Sequence, residues 1–436
     1  MLTHEFAQPF REAAPYINAF RGKTFVLAVR GETLEQGNFP SLGQDINLLV
    51  SLGVRVVLVH GIRPQIDKLL ALHGLKKNFH RERRVTDEAT IDIVKQAVGL
   101  ARHDIEAALS AGMPNSPMSG AHLRVSGGNM LTAKPLGVID GVDMMYTGCI
   151  RRIDTHAINS RLDAGELVLL SPIGYSPSGE AFNLTMEEVA TDTAIALKAE
   201  KLIFLIENWG VYDQYGDLIF DMTAQQAEEL LKTNMLQDEA RTFLPYAIRA
   251  THEGVPRAHL VSAHEDGAML TELFTTEGSG SMIARDPLVK LRRATIDNIG
   301  DLLALIRPLE EQNILVQRSR ENLEMEIDRY TMLEHDERIC GCVAMHPFPD
   351  SDMAELACLA VSPERRNCGF GEMLLRHVEY QARTQGLQSI FVLTTMTAHW
   401  FIERGFVEAD PDTLPPERRR VYNNRRRSKV MVKKLK

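Results

Sequence analysis

Short, uninterrupted runs of apolar residues recur through the first two thirds of the chain. They are TFVLAV (24–29), VRVVLVH (54–60), ELVLLSPI (166–173), KLIFLI (201–206) and AHLVSA (258–263). Continuous runs of this kind are typical of strands that are buried on both faces of a parallel sheet. Between them lie longer segments, such as 41–53 and 185–200, whose apolar residues recur at helical spacing. The alternation predicts a three-layer αβα domain.

The first residues of the chain predict an amphipathic helix that precedes this domain. Its apolar positions are Phe6, Phe10, Ala14, Ile17 and Phe20. Their spacing is close to the period of an α-helix. We therefore divide this part of the chain into a helix at 1–20 and an α/β domain at 21–283.

A different order of elements follows. The segment ARDPLVKLRR (284–293) contains a proline and several charges, and we place a linker at 284–291. Helices are predicted at 295–310, 320–330, 369–385 and 399–406, and strands at 330–335, 340–347, 355–363, 389–395 and 429–435. Helices and strands in this order predict one α+β domain at 292–436.

The composition is that of an ordinary globular protein with a mild excess of acid. Of 436 residues, 49 are Lys or Arg and 58 are Asp or Glu, which gives a net charge of −9. Negative charge disfavours a nucleic-acid binder, since such proteins need cations to displace counterions from phosphates. Five cysteines, an odd number, indicate a reducing compartment. With no apolar signal-peptide core and no run of about 18 apolar residues, we expect a cytoplasmic protein that contacts no membrane.

The histidines give no sign of a metal centre. His60, His103 and His399 lie far apart in the sequence, and none of them belongs to a metal-ligand spacing. We therefore expect that the protein holds no metal.

A glycine-containing loop lies between the predicted strand 355–363 and the predicted helix 369–385. It reads Arg366-Asn367-Cys368-Gly369-Phe370-Gly371. Glycine lets the backbone approach a ligand, and the first N–H groups of a helix have no partner within the helix. Such a helix start can bind a pyrophosphate. Gly-x-Gly alone is also common in simple turns, and it is the basic loop between strand and long helix that favours a ligand site.

In this context the segment from about residue 289 to residue 436 resembles the GNAT acetyltransferase family, whose pyrophosphate loop reads Arg/Gln-x-x-Gly-x-Gly/Ala. The resemblance implies that acetyl-CoA is the co-substrate and inserts where the strand 355–361 splays from the strand 389–395. Strand backbone would pair with the pantetheine, and loop backbone with the pyrophosphate. The residues so implied are Leu359, Val361, Arg366, Asn367, Cys368, Gly369, Phe370, Gly371 and Glu372.

Acetyl transfer to an amine asks for two more groups. An amine is mostly ammonium at neutral pH, so a general base has to take a proton before the amine attacks. Glu355 opens the splayed strand and is our candidate for the general base; an exposed carboxylate at a strand start is an equally weighted interpretation.

A second group has to protonate the departing thiolate. Many GNAT members place a tyrosine for this before the turn that ends in Gly-Phe, but the matching residue here is Phe401. Thr394 offers the nearest hydroxyl, although threonine is also a good strand former.

The end of the chain, RRRVYNNRRRSKVMVKKLK (418–436), is strongly basic. Three interpretations are open: contact with RNA or a membrane, a solvated face, or binding of an anionic acceptor by selected residues. The third is chemically specific, because guanidinium groups pair with carboxylates through two hydrogen bonds. Arg318, in LVQRSRE (315–321), is a candidate to reach the same pocket from the helical side.

Residues 21–283 resemble the amino acid kinase family, and within it acetylglutamate kinase. The similar blocks are VHGIRPQI (59–66), RVTDE (84–88), the stretch from Asn183 through KAEKLIFL (198–205), and ELFTTEGSGSMI (272–283). The positions of the family's catalytic residues have changed: they read Val29-Arg30-Gly31-Glu32, Gly61-Ile62-Arg63-Pro64, Thr185-Met186-Glu187 and, for the later lysine, about Phe243. Phosphoryl transfer depends on positioned positive charge, so we predict that this domain is not a working kinase.

The same resemblance implies an arginine-binding site between the N-terminal helix and the end of the domain. The matching residues are Tyr16, Lys198, Glu272, Gly278 and Gly280. Glu272 can pair with a guanidinium, and backbone carbonyls near Gly278 can accept its other protons. In the related kinases the N-terminal helix also joins dimers into a hexamer, although such a helix is more often only a packing element.

The order of the two domains resembles the bacterial N-acetylglutamate synthase family, as do the segments 305–330 and 422–430. This implies acetyl transfer from acetyl-CoA to the amine of L-glutamate, the first step of L-arginine biosynthesis, with feedback inhibition by L-arginine and assembly into a hexamer. Arg318, Arg426 and Ser428 would hold the two substrate carboxylates. Two alternatives stay open: an acetylglutamate kinase with an appended regulatory domain, and an acetyltransferase of protein or RNA with an amino-acid-sensing domain.

Overall fold

The computed structural model describes residues 2–37, 39–116, 118–233, 236–275, 278–287, 289–335, 338–366, 369–423, 426 and 428–435. They form two compact units, Met1–Asp286 and Pro287–Lys436.

The first unit alternates strands and helices, as its sequence predicts. Its strands are β1 (Thr24–Val29), β2 (Arg55–His60), β3 (Phe79–His80), β4 (Arg83–Arg84), β5 (Val125–Ser126), β6 (Leu131–Pro135), β7 (Val138–Ile139), β8 (Val142–Asp143), β9 (Gly148–Ile153), β10 (Leu167–Leu170), β11 (Ile173–Tyr175), β12 (Ala181–Asn183), β13 (Lys201–Ile206), β14 (Asp221–Thr223), β15 (Arg257–Ser262) and β16 (Ser281–Ala284). Its helices are α1 (Leu2–Phe20), α2 (Gly31–Glu35), α3 (Phe39–Ser51), α4 (Arg63–Leu72), α5 (Glu88–Leu109), α6 (Thr155–Asp163), α7 (Met186–Leu197), α8 (Ala224–Leu231), α9 (Asp238–His252) and α10 (Ala268–Phe274).

The main sheet has the strand order β14-β16-β15-β13-β1-β2-β10-β5. Its central strands run parallel, and every residue of β1 is buried. Side chains of β1 alternate between two cores. Val26 and Ala28 enter the core that α7 and α9 cover, whereas Leu27 enters the core that α3 and α5 cover. The predicted three-layer αβα arrangement is therefore confirmed.

One predicted strand of this unit is wrong. The run 166–173 divides into β10 and β11, which belong to different sheets. The break lies at Ser171 and Pro172, and proline has no N–H with which to continue a strand ladder. β11 joins a second sheet of order β12-β11-β6-β9. The sequence analysis missed this sheet because its strands are short and lie in irregular, partly exposed sequence.

The second unit is an α+β domain. Its elements in chain order are β17 (Val289–Arg293), α11 (Ile299–Glu311), α12 (Arg320–Met325), β18 (Tyr330–His335), β19 (Arg338–Phe348), β20 (Met353–Val361), α13 (Phe370–Thr384), β21 (Ser389–Thr394), α14 (Ala398–Ile402), β22 (Val407–Ala409), α15 (Pro416–Arg420) and β23 (Lys429–Lys434).

These strands form one sheet in the order β17-β18-β19-β20-β21-β23-β22. Leu374 and Val378 of α13 pack on one face of the sheet, and Leu302 and Ile306 of α11 on the other. Strands also occupy both ends of the linker predicted at 284–291, because Ala284 ends β16 and Val289 begins β17.

Candidate active site

Strands β20 and β21 separate after a short contact, and the gap between them is the candidate cofactor site. Their parallel pairing begins with Met353 beside Ser389 and ends with Glu355 beside Phe391. Beyond Glu355 the two strands no longer share a ladder. The predicted splay is therefore present, and it begins at the proposed general base.

The other edge of β20 shows why the strand bends away. A bulge interrupts its pairing with β19, and Cys358 adopts a left-handed backbone conformation with φ 51°. Bulges increase local twist and turn a strand away from its neighbour. The backbone of Leu359 and Val361 follows this bulge on the side that β21 has left. Both residues therefore lie where the sequence places contacts to the pantetheine.

The start of α13 has the geometry of an anion site. Gly369 precedes the helix with φ 78°, a conformation that favours glycine, and no side chain of the described residues caps the helix. A Cβ on Gly371 would lie 3.2 Å from the Trp400 ring, so this turn is tightly packed. The first N–H groups of the fifteen-residue helix are thus left for a ligand. Asn367 and Cys368 lie outside the described residues.

The side chains around this turn serve packing and charge balance. Phe370 is buried in the core of the unit, whereas Arg366 is exposed. Glu372 accepts hydrogen bonds from Arg376 at 3.0 Å and from Arg404 at 2.6 Å. Although burial raises the pKa of Glu372, these two arginines lower it below its usual value. The carboxylate next to the anion site is therefore neutralised, and backbone groups remain as the ligand donors.

Glu355 is buried, and a guanidinium holds both of its oxygens. Arg418 donates from Nε to one carboxylate oxygen at 2.6 Å and from Nη2 to the other at 2.9 Å. His346 lies directly opposite on β19. Burial lowers the pKa of His346, while the charge of Glu355 acts in the opposite direction. The interpretation of Glu355 as an exposed carboxylate at a strand start is wrong, because the side chain is enclosed.

Thr394 ends β21 and is also buried. Its Oγ1 accepts a hydrogen bond from the Thr397 N–H at 3.0 Å and lies 2.8 Å from Thr397 Oγ1. Phe401 contributes no polar group here: its ring packs edge-on against Trp400 and Phe406 in the core. The position that carries a tyrosine in many GNAT members is thus a packing position in this chain.

Two arginines of the second unit act on each other. Arg426 donates from Nη2 to the carbonyl oxygens of Asn313 and Ile314, at 2.9 and 2.7 Å. Arg318 donates from Nη1 to the carbonyl oxygen of Val316 at 2.8 Å. Burial and then the charge of Arg318 lower the pKa of Arg426. Within the described part of the chain neither guanidinium forms an ion pair with a carboxylate, so no acidic side chain there neutralises their charges.

The segment that carries Arg426 is fixed by a tyrosine. Tyr422 donates its hydroxyl hydrogen bond to the carbonyl oxygen of Ser428 at 2.6 Å. Ser428 directly precedes β23, which pairs with β21 from Lys429 beside Thr394. The structure therefore brings Ser428 to the same end of the sheet as Thr394.

Two buried thiols lie in the bulge. Cys342 donates from Sγ to the carbonyl oxygen of Cys358 at 3.4 Å. A hydrogen bond between the two side chains, helped by the charge of Arg318, lowers the pKa of Cys358, whereas burial opposes it. Although burial lowers the pKa of Arg318, its neighbours, Cys358 first and then Tyr330, raise it overall. Arg318 thus lies close to the bulge at Cys358 and, like any arginine, is charged at neutral pH.

Sequence reasoning missed three residues of this site: Arg418, His346 and Cys358. Arg418 is one of many arginines in the basic tail, and no spacing distinguishes it from its neighbours. His346 becomes recognisable only through the register of β19 against β20. The bulge at Cys358 leaves no signal in an ordinary apolar strand sequence.

In the first unit, a cavity of about 570 Å³ opens at the carboxyl ends of β1, β2 and β13. This is where parallel sheets usually bind ligands. Arg30, which follows β1, pairs there with Glu239, and its guanidinium lies 3.1 Å from Glu32 and 3.6 Å from Glu207. Phe243 is buried. The cavity thus lies where the resemblance to the kinases places the active site. Its cation Arg30, however, is already neutralised by carboxylates of the protein itself.

Two further arginines of this cavity have carboxylate partners, whereas Arg63 donates to the carbonyl oxygen of Glu82 at 3.4 Å. Arg83 pairs with Glu188, and Arg84 pairs with Asp67 at 2.5 Å. Glu187 lines the same cavity, and burial raises its pKa. That the domain is not a working kinase stays a prediction.

The candidate effector residues lie near the end of the first unit. Glu272 of α10 accepts one hydrogen bond from His259 Nδ1 at 2.7 Å, and two from the Ser279 and Gly280 N–H groups at 2.8 Å. Although burial raises the pKa of Glu272, these hydrogen bonds lower it overall, so the group is held as a carboxylate. Gly278 has φ 69°, and a Cβ there would lie 2.8 Å from Glu272.

Aromatic packing brings α1 to this carboxylate. Tyr16 lies 6.0 Å from Phe20 between ring centroids, and Phe20 packs edge-on against Phe274, two residues beyond Glu272. Lys198 ends α7 in a left-handed conformation with φ 50°. Four of the five predicted residues thus lie in one region: Tyr16, Glu272, Gly278 and Gly280. For Lys198 the structure gives a backbone conformation but, among the described residues, no hydrogen bond or ion pair to Glu272.

Comparison with known proteins now bears on both units. The model of the amino acid kinase family matches residues 23–262, and that of the acetyltransferase (GNAT) family matches residues 299–406. An amino-acid acetyltransferase of Serratia proteamaculans is 49% identical over 435 residues, which are 99% of each chain. One from Yersinia pseudotuberculosis shows the same identity and coverage. This chain belongs to the amino-acid acetyltransferase family.

Solved structures lead to the same family. The chain is similar to N-acetylglutamate synthase from Neisseria gonorrhoeae complexed with coenzyme A and L-arginine, with 41% identity, 99% coverage of each chain and a TM-score of 0.88. A second structure of that synthase, with coenzyme A and N-acetyl-glutamate, gives 42% identity and a TM-score of 0.64. The predicted pairing of an amino-acid-kinase-like unit with a GNAT unit is confirmed. As an amino-acid acetyltransferase, the protein is an N-acetyltransferase of the GNAT class.

One observation concerns membranes. Among the helices of the described residues, none is both long enough and apolar enough to cross a bilayer.

Proposed function

We propose that this acetyltransferase moves the acetyl group of acetyl-CoA to the amine of L-glutamate and that L-arginine inhibits it. The observation that carries the proposal is the pair Arg318 and Arg426, two cations without a carboxylate partner among the described residues, beside a splayed GNAT strand. Two guanidinium groups suit a substrate with two carboxylates. The likeness to a synthase solved with coenzyme A and L-arginine supports both ligands.

Acetyl-CoA would lie between β20 and β21. Its pantetheine would pair with the backbone of Leu359 and Val361, and its pyrophosphate with the N–H groups that follow Gly369. The open edge of β20 and the uncapped start of α13 support this placement. Glycine at positions 369 and 371 lets the phosphates approach the helix start closely.

The reaction would be direct attack of the amine on the thioester. Glu355 takes one proton from the substrate ammonium, and the free amine forms a bond to the carbonyl carbon. Backbone N–H groups of the splayed strand stabilise the oxyanion. The carbon–sulfur bond then breaks, and Thr394 assists protonation of the departing thiolate. Both residues border the splay, which supports these roles: Glu355 is the last residue of β20 that pairs with β21, and Thr394 lies on β21 three residues beyond its partner Phe391.

The acceptor would be held by Arg318, Arg426 and Ser428. Because these residues lie near the splay, they would hold the acceptor amine close to the thioester. An acceptor without two carboxylates at a suitable spacing would not be held there. Two arginines of the basic tail are not available to the alternative acceptor, protein or RNA, because Arg418 and Arg419 pair with Glu355 and Asp412 of the same chain.

L-Arginine would bind at Tyr16, Lys198, Glu272, Gly278 and Gly280. Glu272 is held as a carboxylate, and its three hydrogen bonds use three of about four acceptor positions, which leaves one for a guanidinium N–H. For the assembly we propose a hexamer joined through α1, in the cytoplasm. Phe10 of this helix is more than half exposed, which supports a contact with another copy.

The test is release of CoA from acetyl-CoA by the purified protein, measured with and without L-glutamate and then with L-arginine. We expect glutamate-dependent release that L-arginine suppresses. Release that depends on glutamate but ignores L-arginine would remove the effector role. Absence of glutamate-dependent release would overturn the proposed acceptor. Light scattering of the same sample measures the mass of the assembly, and a monomer would overturn the hexamer.

A further inference from the structure

Three arginines lie around the candidate active site, and they differ in what holds them. Arg318 and Arg426 donate to backbone carbonyl oxygens. Arg418 instead donates two hydrogen bonds to the two oxygens of Glu355. The geometry is that of a bidentate charge-assisted pair, the strongest kind of ion pair between side chains. The carboxylate proposed as the general base is thus neutralised by the one arginine that points at it.

The rest of the protein holds the two partners to different degrees: buried Leu414 and Pro415 precede α15, and Tyr422 beyond its end donates to the Ser428 carbonyl oxygen. Arg418 lies in α15, a five-residue helix with no buried residue. Glu355, in contrast, is buried in the middle of the sheet. A short element with few buried contacts moves at low cost, whereas a central strand does not. When the ion pair opens, Arg418 is therefore the partner that moves.

We propose that Arg418 is a positioning residue that holds Glu355 until a carboxylate of the acceptor takes its guanidinium. This inference rests on the proposed role of Glu355 as the general base. The incoming substrate brings two carboxylates and one ammonium. One carboxylate is shared between Arg418 and the pair Arg318 and Arg426, so that it replaces Glu355 on Arg418, and Glu355 is then free to accept the ammonium proton. The acceptor thereby activates its own base.

The device protects acetyl-CoA when no acceptor is bound. A free carboxylate beside the thioester would take a proton from water, and hydroxide would attack the carbonyl. The products would be acetate, CoA and a proton. While Arg418 occupies both oxygens of Glu355, water finds no base there. The ion pair therefore suppresses hydrolysis without slowing the complete reaction.

The experiment compares Arg418→Gln with the wild-type protein in full-length form. We measure CoA release from acetyl-CoA without any acceptor and the dependence of the rate on L-glutamate. We expect glutamate-independent release to rise about tenfold and the KM for L-glutamate to rise by a similar factor, because one charge-assisted pair is lost in each case. Damage to the fold would lower both activities, so a gain in hydrolysis cannot come from misfolding.

The neighbouring residue offers a matched control. Arg419 lies in the same helix and pairs with Asp412 at the surface, 3.2 Å away. Arg419→Gln removes one charge from α15 but leaves Glu355 paired, and we expect wild-type hydrolysis. Arg418→Lys keeps one positive charge without the bidentate geometry, and we expect an intermediate rate. Unchanged hydrolysis in both Arg418 variants would overturn the proposal.

Glu355→Gln separates this inference from the mechanism on which it rests. Loss of glutamate-dependent turnover in Glu355→Gln, together with wild-type hydrolysis in Arg418→Gln, would keep the base and overturn the role of Arg418. Full turnover in Glu355→Gln would overturn the base itself. In Glu355→Gln/Arg418→Gln we expect the extra hydrolysis to vanish. If it persists, the water is activated by another group and the proposal is wrong.

Discussion

Each of the two units contains a cluster of arginines where its fold binds ligands, and the clusters differ in how their charge is used. In the cavity of the first unit, three of the four lining arginines, Arg30, Arg83 and Arg84, pair with carboxylates of the same unit, and the fourth, Arg63, donates to the carbonyl oxygen of Glu82. In the second unit, Arg318 and Arg426 donate to backbone carbonyl oxygens, and neither has a carboxylate partner among the described residues.

The difference shows that a cavity can keep its shape without keeping the charges that bind a ligand. A cavity survives when strand ends and helix starts keep their positions, and this requires only packing. Binding an anion requires a cation whose charge is not already neutralised. Charges in the first cavity should therefore affect stability, whereas charges in the second site should affect rate and affinity.

The largest effect that we expect is from Glu355→Gln. Glutamine cannot take a proton, so kcat should fall by about 10²–10⁴-fold, the usual contribution of general base catalysis. Steady-state kinetics at saturating acetyl-CoA and L-glutamate measures it. Glu408→Gln is the control, because Glu408 pairs with Lys429 at the surface. Equal kcat values for the two variants would contradict the proposed mechanism.

Arg426→Ala should raise the KM for L-glutamate by about 10–100-fold, since a hydrogen bond to a charged group contributes about 1.5–3 kcal/mol. Arg318→Ala should act in the same direction. The KM for acetyl-CoA should stay within about twofold of wild type. Arg320→Ala is the control, because Arg320 is exposed and pairs with Glu324 on its own helix. A KM for L-glutamate that neither active-site variant changes would remove the arginine pair from the acceptor site.

Gly369→Ala should raise the KM for acetyl-CoA by about tenfold, because a side chain at φ 78° costs about 1–2 kcal/mol and displaces the start of α13. Gly386 has the same φ of 78° but lies at the other end of this helix. Gly386→Ala should therefore lose similar stability and keep its KM. If both variants bind acetyl-CoA like wild type, the helix start does not hold the pyrophosphate.

Arg30→Gln tests the expectation that charges in the cavity of the first unit affect stability. The substitution removes a partly buried cation from three carboxylates, and we expect the unfolding free energy to fall by about 1–2 kcal/mol. Glutamate kinetics should not change. Thermal unfolding and kcat are measured on the same preparation. A tenfold loss of kcat with an unchanged melting temperature would show that the first cavity takes part in turnover.

These residues also show what the sequence could predict. The strands β1, β2 and β13 are recognisable because burial on both faces imposes a continuous apolar run. The glycine loop before α13 is recognisable because φ 78° and a close approach both require glycine. Arg418 is not recognisable in the sequence, because its bidentate pair with Glu355 depends on where a short exposed helix lies. Periodicity indicates which residues are buried, but it does not indicate which arginine pairs with which carboxylate.

The last prediction concerns the pH dependence that His60 gives to the stability of the first unit. Burial, the main cause, lowers the pKa of His60 from 6.5 to about 4, and its Nε2 lies 2.8 Å from Ser171 Oγ. Because the pKa is lower in the folded chain than in the unfolded chain, the unfolded chain binds more protons between these values. Stability from His60 is complete above about pH 6.5 and is lost as the pH falls towards 4. The loss is on the order of 3 kcal/mol once both states are protonated.

His60→Gln cannot take up this proton, so its melting temperature should fall less than that of wild type between pH 6.5 and pH 4. His259 contributes with the same sign, and Asp45, whose pKa burial raises to about 6, contributes with the opposite sign. Both residues are present in the variant, so the difference between the two curves isolates His60. His103→Gln, an exposed control, should follow wild type. Parallel curves for His60→Gln and wild type would mean that His60 is not held neutral. In that case the charge state of His60 would not contribute to the stability of the first unit, and the contrast between the two units would be weaker.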